Sequence, residues 1–255
     1  MKVQRLAVRS GIAIAAASVI AIAAAVVLGL RSTPRPAAPS ASDVFFATAI
    51  ACYPVAAALV IARRPRNPVG WYLLLTGTIY GLGILAWQVG ISGYLAGAGR
   101  EPVFKVWLAW FGSWATTAAP LALLIGLLYF PDGDTASGRL RWARLAVLLL
   151  GSVVIVARAL RPGPLGGVGP PNPVALSGAG TGPASFAILV ALVLLVIISL
   201  AARYRGAGPR GRQQLKWLMV GAGVLPLGIV AGTALYSGAA PGPARDAASR
   251  VCSVL

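Results

Sequence analysis

The sequence predicts an all-α fold: a polytopic transmembrane helical bundle of about seven spans with a cytoplasmic N-terminus. Three observations lead there. Of 255 residues, 58% are hydrophobic and 11% charged, with a mean hydropathy of +0.82, whereas a water-soluble chain of this size needs far more charge to cover its surface. Apolar stretches close to the ~20 residues that cross the hydrocarbon recur between short basic clusters. Those clusters alternate: the successive flanks carry three, two, three, two, three, two, five and two Lys or Arg, 22 in all. The richer set belongs on the cytoplasmic side, which also places the present C-terminus outside.

The expected spans are 11–30, 44–62, 69–91, 107–130, 143–160, 184–202 and 217–236, all in one domain covering 1–255. The first follows Lys2, Arg5 and Arg9 and is long for a signal peptide's apolar core, so it reads as a span. The second ends at Arg63, Arg64 and Arg66, and the third, apolar as far as Gly99, has length to spare. The fourth lies between Lys105 and Asp132. The fifth offers only 13 uncharged residues, Leu145 to Ala157, and spans only if Arg144 and Arg158 snorkel. A Gly/Pro-rich stretch, Arg161 to Pro183, reads as a loop without helical pattern before the sixth. The seventh follows the most basic connection in the chain. Aromatic residues mark both rims, with Trp71, Tyr72, Trp142, Tyr204 and Trp217 beside the richer clusters and Tyr94 and Trp107 on the other side.

Composition excludes much chemistry. With no histidine there is no imidazole base, no Ser-His-Asp triad, no His-built zinc site and no phosphohistidine. Asp43, Glu101, Asp132, Asp134 and Asp246 all fall at flanks or in loops, which argues against an ion-coupled carrier, since such carriers need an ionisable or coordinating group at mid-membrane. Asp132 and Asp134, beside Pro131 and Gly133, read as a turn. Cys52 and Cys252 form no metal or disulfide pattern, and Cys52 reads as a small buried hydrophobe. No catalytic residue, metal site or cofactor is expected, and the +17 net charge reads as topology signal and not nucleic-acid binding.

Candidate sites are few. Trp107, Trp110, Phe111 and Trp114 lie at i, i+3, i+4 and i+7, one face at the outer end of the fourth helix. Such a face suits an apolar or cationic ligand, and equally an aromatic belt that continues into helix packing. Gln88 is the most polar position deep in the third span, where a lone amide bonds a neighbouring helix. Gly77 with Gly81 and Gly93 with Gly97 permit close helix approach, within or between chains.

Three further stretches sit at the expected inner rim. In RRPRNPVGW, Asn67 is placed to cap a helix whose first residue is Pro68, with Gly70 and Trp71 following. Pro131, Asp132 and Gly133 stop the fourth helix after Phe130. The third, Arg212, Gln213, Gln214, Leu215, Lys216 and Trp217, is polar up to Lys216 and apolar after it. In this order and at these intervals, the three stretches resemble the membrane-embedded N-terminal sensor region of bacterial histidine kinases of high-GC organisms, from about residue 44 onward. Two local departures stand out: Asp134 to Gly138 intervene before Arg139, and Gly211 and Arg212 stand where relatives carry an acidic residue.

Relatives continue through another span into a dimerisation helix, a phosphoacceptor histidine and an ATP-binding domain, whereas Arg250 to Leu255 looks like the start of a further span cut short. The resemblance therefore implies a signal-input module of the cell membrane that is not an enzyme as it stands. It also implies the lipid bilayer as surroundings, a homodimer, and a cytoplasmic signalling partner. The reading from another class is a small passive transporter or an accessory subunit of a membrane complex.

Overall fold

The computed structural model describes residues 2–32, 41–97, 102–130, 138–167, 169–179, 183–206, 208 and 212–213. Among them are six α-helices: α1 (Lys2–Arg31), α2 (Ala41–Arg63), α3 (Pro68–Ala96), α4 (Val103–Leu127), α5 (Gly138–Ala159) and α6 (Pro183–Gly206). All six are long and apolar enough to cross a membrane. The expected seventh span, 217–236, lies outside the described residues. α5 is a continuous helix of 22 residues despite its short uncharged core, because Arg141 and Arg144 sit in its first turns and Arg158 in its last. Arginines at helix ends reach toward the interface and extend what the apolar segment alone can span.

The helices run up and down. α1 and α3 are parallel, joined by hydroxyl bridges Ser18–Thr78 (2.9 Å) and Ser32–Ser92 (2.7 Å) that share one 60-residue offset. α2 returns against α3, with Pro54 at Gly77 and Val60 at Gly70. α4 is antiparallel to α3, pairing Ala115 with Gly83, Ala109 with Gly90, and Gly126 with Tyr72. α5 is antiparallel to α4, with Leu121 at Gly151 and Trp110 at Ala159. One end of the bundle therefore gathers the start of α1, the α2–α3 turn, the end of α4, the start of α5 and the end of α6. This is the basic rim; the opposite end is the far rim.

Small residues set the spacing. A Cβ on Gly112 would lie 2.6 Å from the Gly83 carbonyl oxygen and 2.7 Å from the Trp87 nitrogen, and one on Gly90 would lie 2.5 Å from the Ala109 nitrogen. Both clashes are with backbone, so α3 and α4 can approach this closely only as glycine permits. Gly77, expected to serve close helix approach within or between chains, receives the ring of Pro54 from α2, 2.4 Å from where a Cβ would stand. Gly93 receives not a helix backbone but the Lys105 side chain, whose Cδ lies 2.6 Å from that position. These glycines are thus engaged inside the chain.

The largest buried cluster, Leu121 to Leu128 with Val147, Leu192, Val196 and Leu200, ties α4, α5 and α6 together toward the basic rim. Cys52 is exposed and not buried as its type suggested, since it lies on a face of α2 that no described helix covers. Exposed Leu148, Leu149, Val153, Leu194 and Ile198 give α5 and α6 apolar outer faces of the kind a bilayer covers.

The glycine contacts generate a contrast between two variants. Gly112→Ala must push apart two backbones and should destabilise the full chain by ~1–3 kcal/mol, whereas Gly151→Ala meets only flexible Leu121 methyls at 3.0 Å and should cost well under ~1 kcal/mol. Thermal unfolding of both in detergent micelles is the check. Equal losses would mean that the α3–α4 seam is not the tight one.

Candidate functional site

The far rim is built on α4. Trp107, Trp110 and Trp114 recur on one side of it, and their rings meet edge to face, Trp107–Trp110 at 5.5 Å and Trp110–Trp114 at 5.8 Å between centroids. Phe111 joins at 5.1 Å from Trp114. Edge-to-face pairs are a favoured aromatic geometry and make the stripe stiff. It grades from exposed to buried, since Trp107 is 44% exposed and Thr117, a further step along the same side, is 4% exposed. The sequence pattern had grouped the four aromatic rings; Thr117 was missed because an isolated threonine in an apolar run carries no pattern.

α5 closes over this stripe. The Trp110 indole N–H donates to the Ala159 carbonyl oxygen (2.8 Å), and Arg158 Nε–H donates to the Ser113 carbonyl oxygen (3.3 Å). Two donors nearby have no acceptor: the buried indole nitrogen of Trp114 and the buried hydroxyl of Thr117. Each such group costs ~1–3 kcal/mol when nothing compensates its desolvation. Gln88 is buried on α3. It is 6% exposed, but its Oε1 meets no donor, so it does not tie α3 to a neighbouring helix through that atom.

The Gly/Pro-rich stretch after α5, expected as a patternless loop, is a compact cap with a 3-10 turn at Leu165–Gly167. Asn172, 7% exposed, organises it: its Nδ2 donates to the carbonyls of Ala159 and Arg161 (2.8 Å each), and its Oδ1 accepts from the Val174 N–H (3.0 Å). The backbone closes with Leu165 N–H to Pro170 O (2.9 Å) and Leu176 N–H to Leu160 O (2.9 Å). Gly166 adopts φ 60°, a left-handed conformation, with its α-carbon so close to Trp87 that a Cβ would lie 2.4 Å from the indole. No side chain fits there on either ground. Trp87 thus connects the cap, through Gly166, to the α3–α4 seam at Gly112.

At the basic rim the first motif is a helix–turn–helix joint. Asn67 Oδ1 accepts from the Val69 N–H (2.9 Å), Pro68 takes the first turn of α3, and the Trp71 indole N–H donates to the Pro65 carbonyl oxygen (2.8 Å). A Cβ on Gly70 would stand 3.0 Å from Val60 and Ile61, so the glycine lets α3 leave the turn against α2. Arg63, Arg64 and Arg66 remain exposed.

A second set of contacts lies one step away. Tyr72 of α3 stacks on Tyr129 at 5.3 Å and 20°, Arg144 of α5 lies 4.8 Å over the Tyr129 ring, and Arg203 of α6 donates to the Phe130 carbonyl oxygen. Four helix ends meet at Tyr129 and Phe130. Of the other motif residues, Arg212 lies over Tyr204 at 5.9 Å and donates to the Arg205 carbonyl oxygen (3.3 Å), and Gln213 is exposed. Pro131, Asp132, Gly133, Gln214, Leu215, Lys216 and Trp217 lie outside the described residues.

The described residues hold no group of three His, Cys, Asp or Glu able to bind a metal. The arrangement offers rings, hydroxyls, indoles and guanidinium groups, which bind and position; among the described residues it brings together no nucleophile–base pair. No known family, no curated protein and no solved structure matches the chain.

The cap yields a prediction. Asn172→Ala removes two donors and one acceptor; the Ala159 carbonyl keeps its bond from the Trp110 indole, whereas the Arg161 carbonyl and the Val174 N–H lose the partner that Asn172 supplies, a loss of ~1–3 kcal/mol of local stability. Hydrogen exchange at Leu165, Gly169 and Leu176 should accelerate at least tenfold while α3 amides stay protected. Unchanged exchange in the cap would show that proline and glycine geometry alone holds it.

Proposed function

We propose that this chain is the membrane-embedded input module of a bacterial two-component type signalling system, not itself catalytic, which passes a signal from the far rim to the basic rim. The observation that carries this reading is the reach of one helix. α4 bears the aromatic stripe at its first turns and leads into Tyr129 and Phe130 at its other end, where α3, α5 and α6 are all engaged. A displacement of α4 against α5 at the stripe is thereby felt at Arg144 and Arg203. The resemblance of RRPRNPVGW, of Phe130 to Gly133, and of Arg212 to Trp217 to sensor regions of histidine kinases supports the same reading.

The mechanism is a population shift: a ligand or membrane state that favours one packing of α4 on α5 biases the basic rim. The basic rim faces the cytoplasm, by the excess of Lys and Arg, with a seventh span at 217–236 and the cell membrane as the site of action. A cytoplasmic signalling partner receives the output there, and the chain works as a homodimer.

Two measurements test this. In a background with Cys52 and Cys252 replaced by serine, Leu176→Cys should react with a membrane-impermeant thiol reagent on intact cells and Arg64→Cys should not; the reverse pattern would invert the orientation. For the relay, spin labels at positions 141 and 205 report the spacing of α5 and α6 at the basic rim. Trp110→Ala, at the opposite rim, should redistribute that spacing between two populations by roughly fivefold in their ratio, about 1 kcal/mol. A distance distribution indifferent to the stripe would sink the relay.

A further inference from the structure

We infer that the Arg158 guanidinium and the Thr117 hydroxyl are rival donors to one acceptor, the Ser113 carbonyl oxygen, and that their exchange is a two-position latch between α5 and α4. The inference deepens the sensor reading, resting on it for what the latch controls but not for the exchange itself. Three observations carry it.

The first is an exception. Hydroxyl groups inside these helices bond the carbonyl four residues back: Ser18 to Ile14 (2.8 Å), Thr48 to Val44 (2.8 Å), Thr76 to Tyr72 (2.8 Å), Thr78 to Leu74 (2.8 Å) and Ser199 to Leu195 (2.7 Å). In a bilayer, where no water competes, this bond is the nearest way to satisfy a hydroxyl. Thr117 is 4% exposed, and its hydroxyl has no partner at all. The carbonyl four residues back from Thr117 is that of Ser113.

The second is what occupies that carbonyl. Arg158 Nε–H donates to it from α5 at 3.3 Å. A carbonyl oxygen has two lone pairs. Inside α4 one of them serves the backbone N–H of Thr117 in the helical ladder, and Arg158 takes the other. The Thr117 hydroxyl is thus shut out from its usual acceptor by a donor of the neighbouring helix. Arg158 also interacts elsewhere, and the exchange concerns this bond alone.

The third is the helix in which the acceptor sits. Pro120 lies inside α4 and brings no N–H to the Thr116 carbonyl, so the ladder lacks a rung in the turn that holds Thr117. α4 bends most readily there, and Arg158 grips it on the side of that turn that carries the aromatic stripe.

In the held position Arg158 ties the end of α5 to α4 and the Thr117 hydroxyl goes unserved. In the released position the guanidinium turns toward the interface, as an arginine at a helix end does, and a rotation about χ1 brings the Thr117 hydroxyl to the freed carbonyl. Each position satisfies one donor at the expense of the other, so the loss of one bond is offset by the gain of the second. That is the condition for a two-state element that a modest bias can shift, and the movement is the displacement of α4 against α5 that the signalling mechanism requires.

Thermal unfolding of the full chain in detergent micelles, taken through a four-variant cycle, tests the exchange. Thr117→Val in the otherwise wild-type chain removes an unserved hydroxyl and should raise the ratio of folded to unfolded protein about fivefold. In an Arg158→Leu background the same substitution removes a bonded hydroxyl, and the gain should vanish or reverse. A gain as large in that background as in the wild type overturns the proposal, by showing that the hydroxyl stays unbonded whether or not Arg158 is present. If Arg158→Leu does not fold, hydrogen exchange decides. Without its rival the held position is favoured, so exchange of the Ala159 and Leu160 amides should slow about fivefold in Thr117→Val and match the wild type in Thr117→Ser. Unchanged exchange in Thr117→Val overturns the proposal. Both measurements report on the far rim and need no output, so their failure leaves the relay between the rims standing, to be judged by the label distances at 141 and 205 alone.

Discussion

The close approach of α3 and α4 is the constraint on which the other contacts depend. Their backbones meet at Gly83, Gly90 and Gly112 with no room for a single methyl group. In a membrane, where apolar burial gives little preference for helix over lipid, such approach supplies the dispersion contacts that hold helices together. α1 and α2 then pack on α3 through Ser18–Thr78 and Pro54–Gly77, and α5 packs on the opposite side of α4. The seam also fixes Trp87, on which the cap after α5 rests.

Around this seam the polar groups divide into two kinds. At the basic rim they are largely paired. Asn67 caps α3, Trp71 bonds Pro65, and Tyr129 and Phe130 take up Tyr72, Arg144 and Arg203. At the far rim pairing is incomplete, with the Trp114 indole, the Thr117 hydroxyl and the Gln88 carbonyl lacking partners in a setting where each omission is costly.

Much of the fold was legible because lipid imposes simple rules. A spanning helix needs ~20 apolar residues and its flanks hold the charge, so six helices could be placed from hydropathy and Lys/Arg spacing. Even α5 followed, since Arg144 and Arg158 alternate with the other clusters as an additional crossing requires. The turn at Asn67–Pro68 was legible for a local reason: a cap and a proline act within four residues. The grouping of Trp107, Trp110, Phe111 and Trp114 rested likewise on helical period alone.

What the sequence by itself determined is thus the helical class, the positions of the six described helices, the cap of α3 and the aromatic stripe, all consequences of hydropathy, period or nearest neighbours. Only the tertiary structure decided which glycines are bound by which partners, that Gly93 houses the Lys105 side chain, that Cys52 is exposed, and that Gln88 lacks a donor for its carbonyl. The same holds for the cap built by Asn172 and for the meeting of four helix ends at Tyr129 and Phe130. The reason is physical: these contacts join residues dozens of positions apart, and their partners are set by how helices rotate and slide against one another. Among lipid-compatible side chains, hydropathy scarcely distinguishes one rotation from the next.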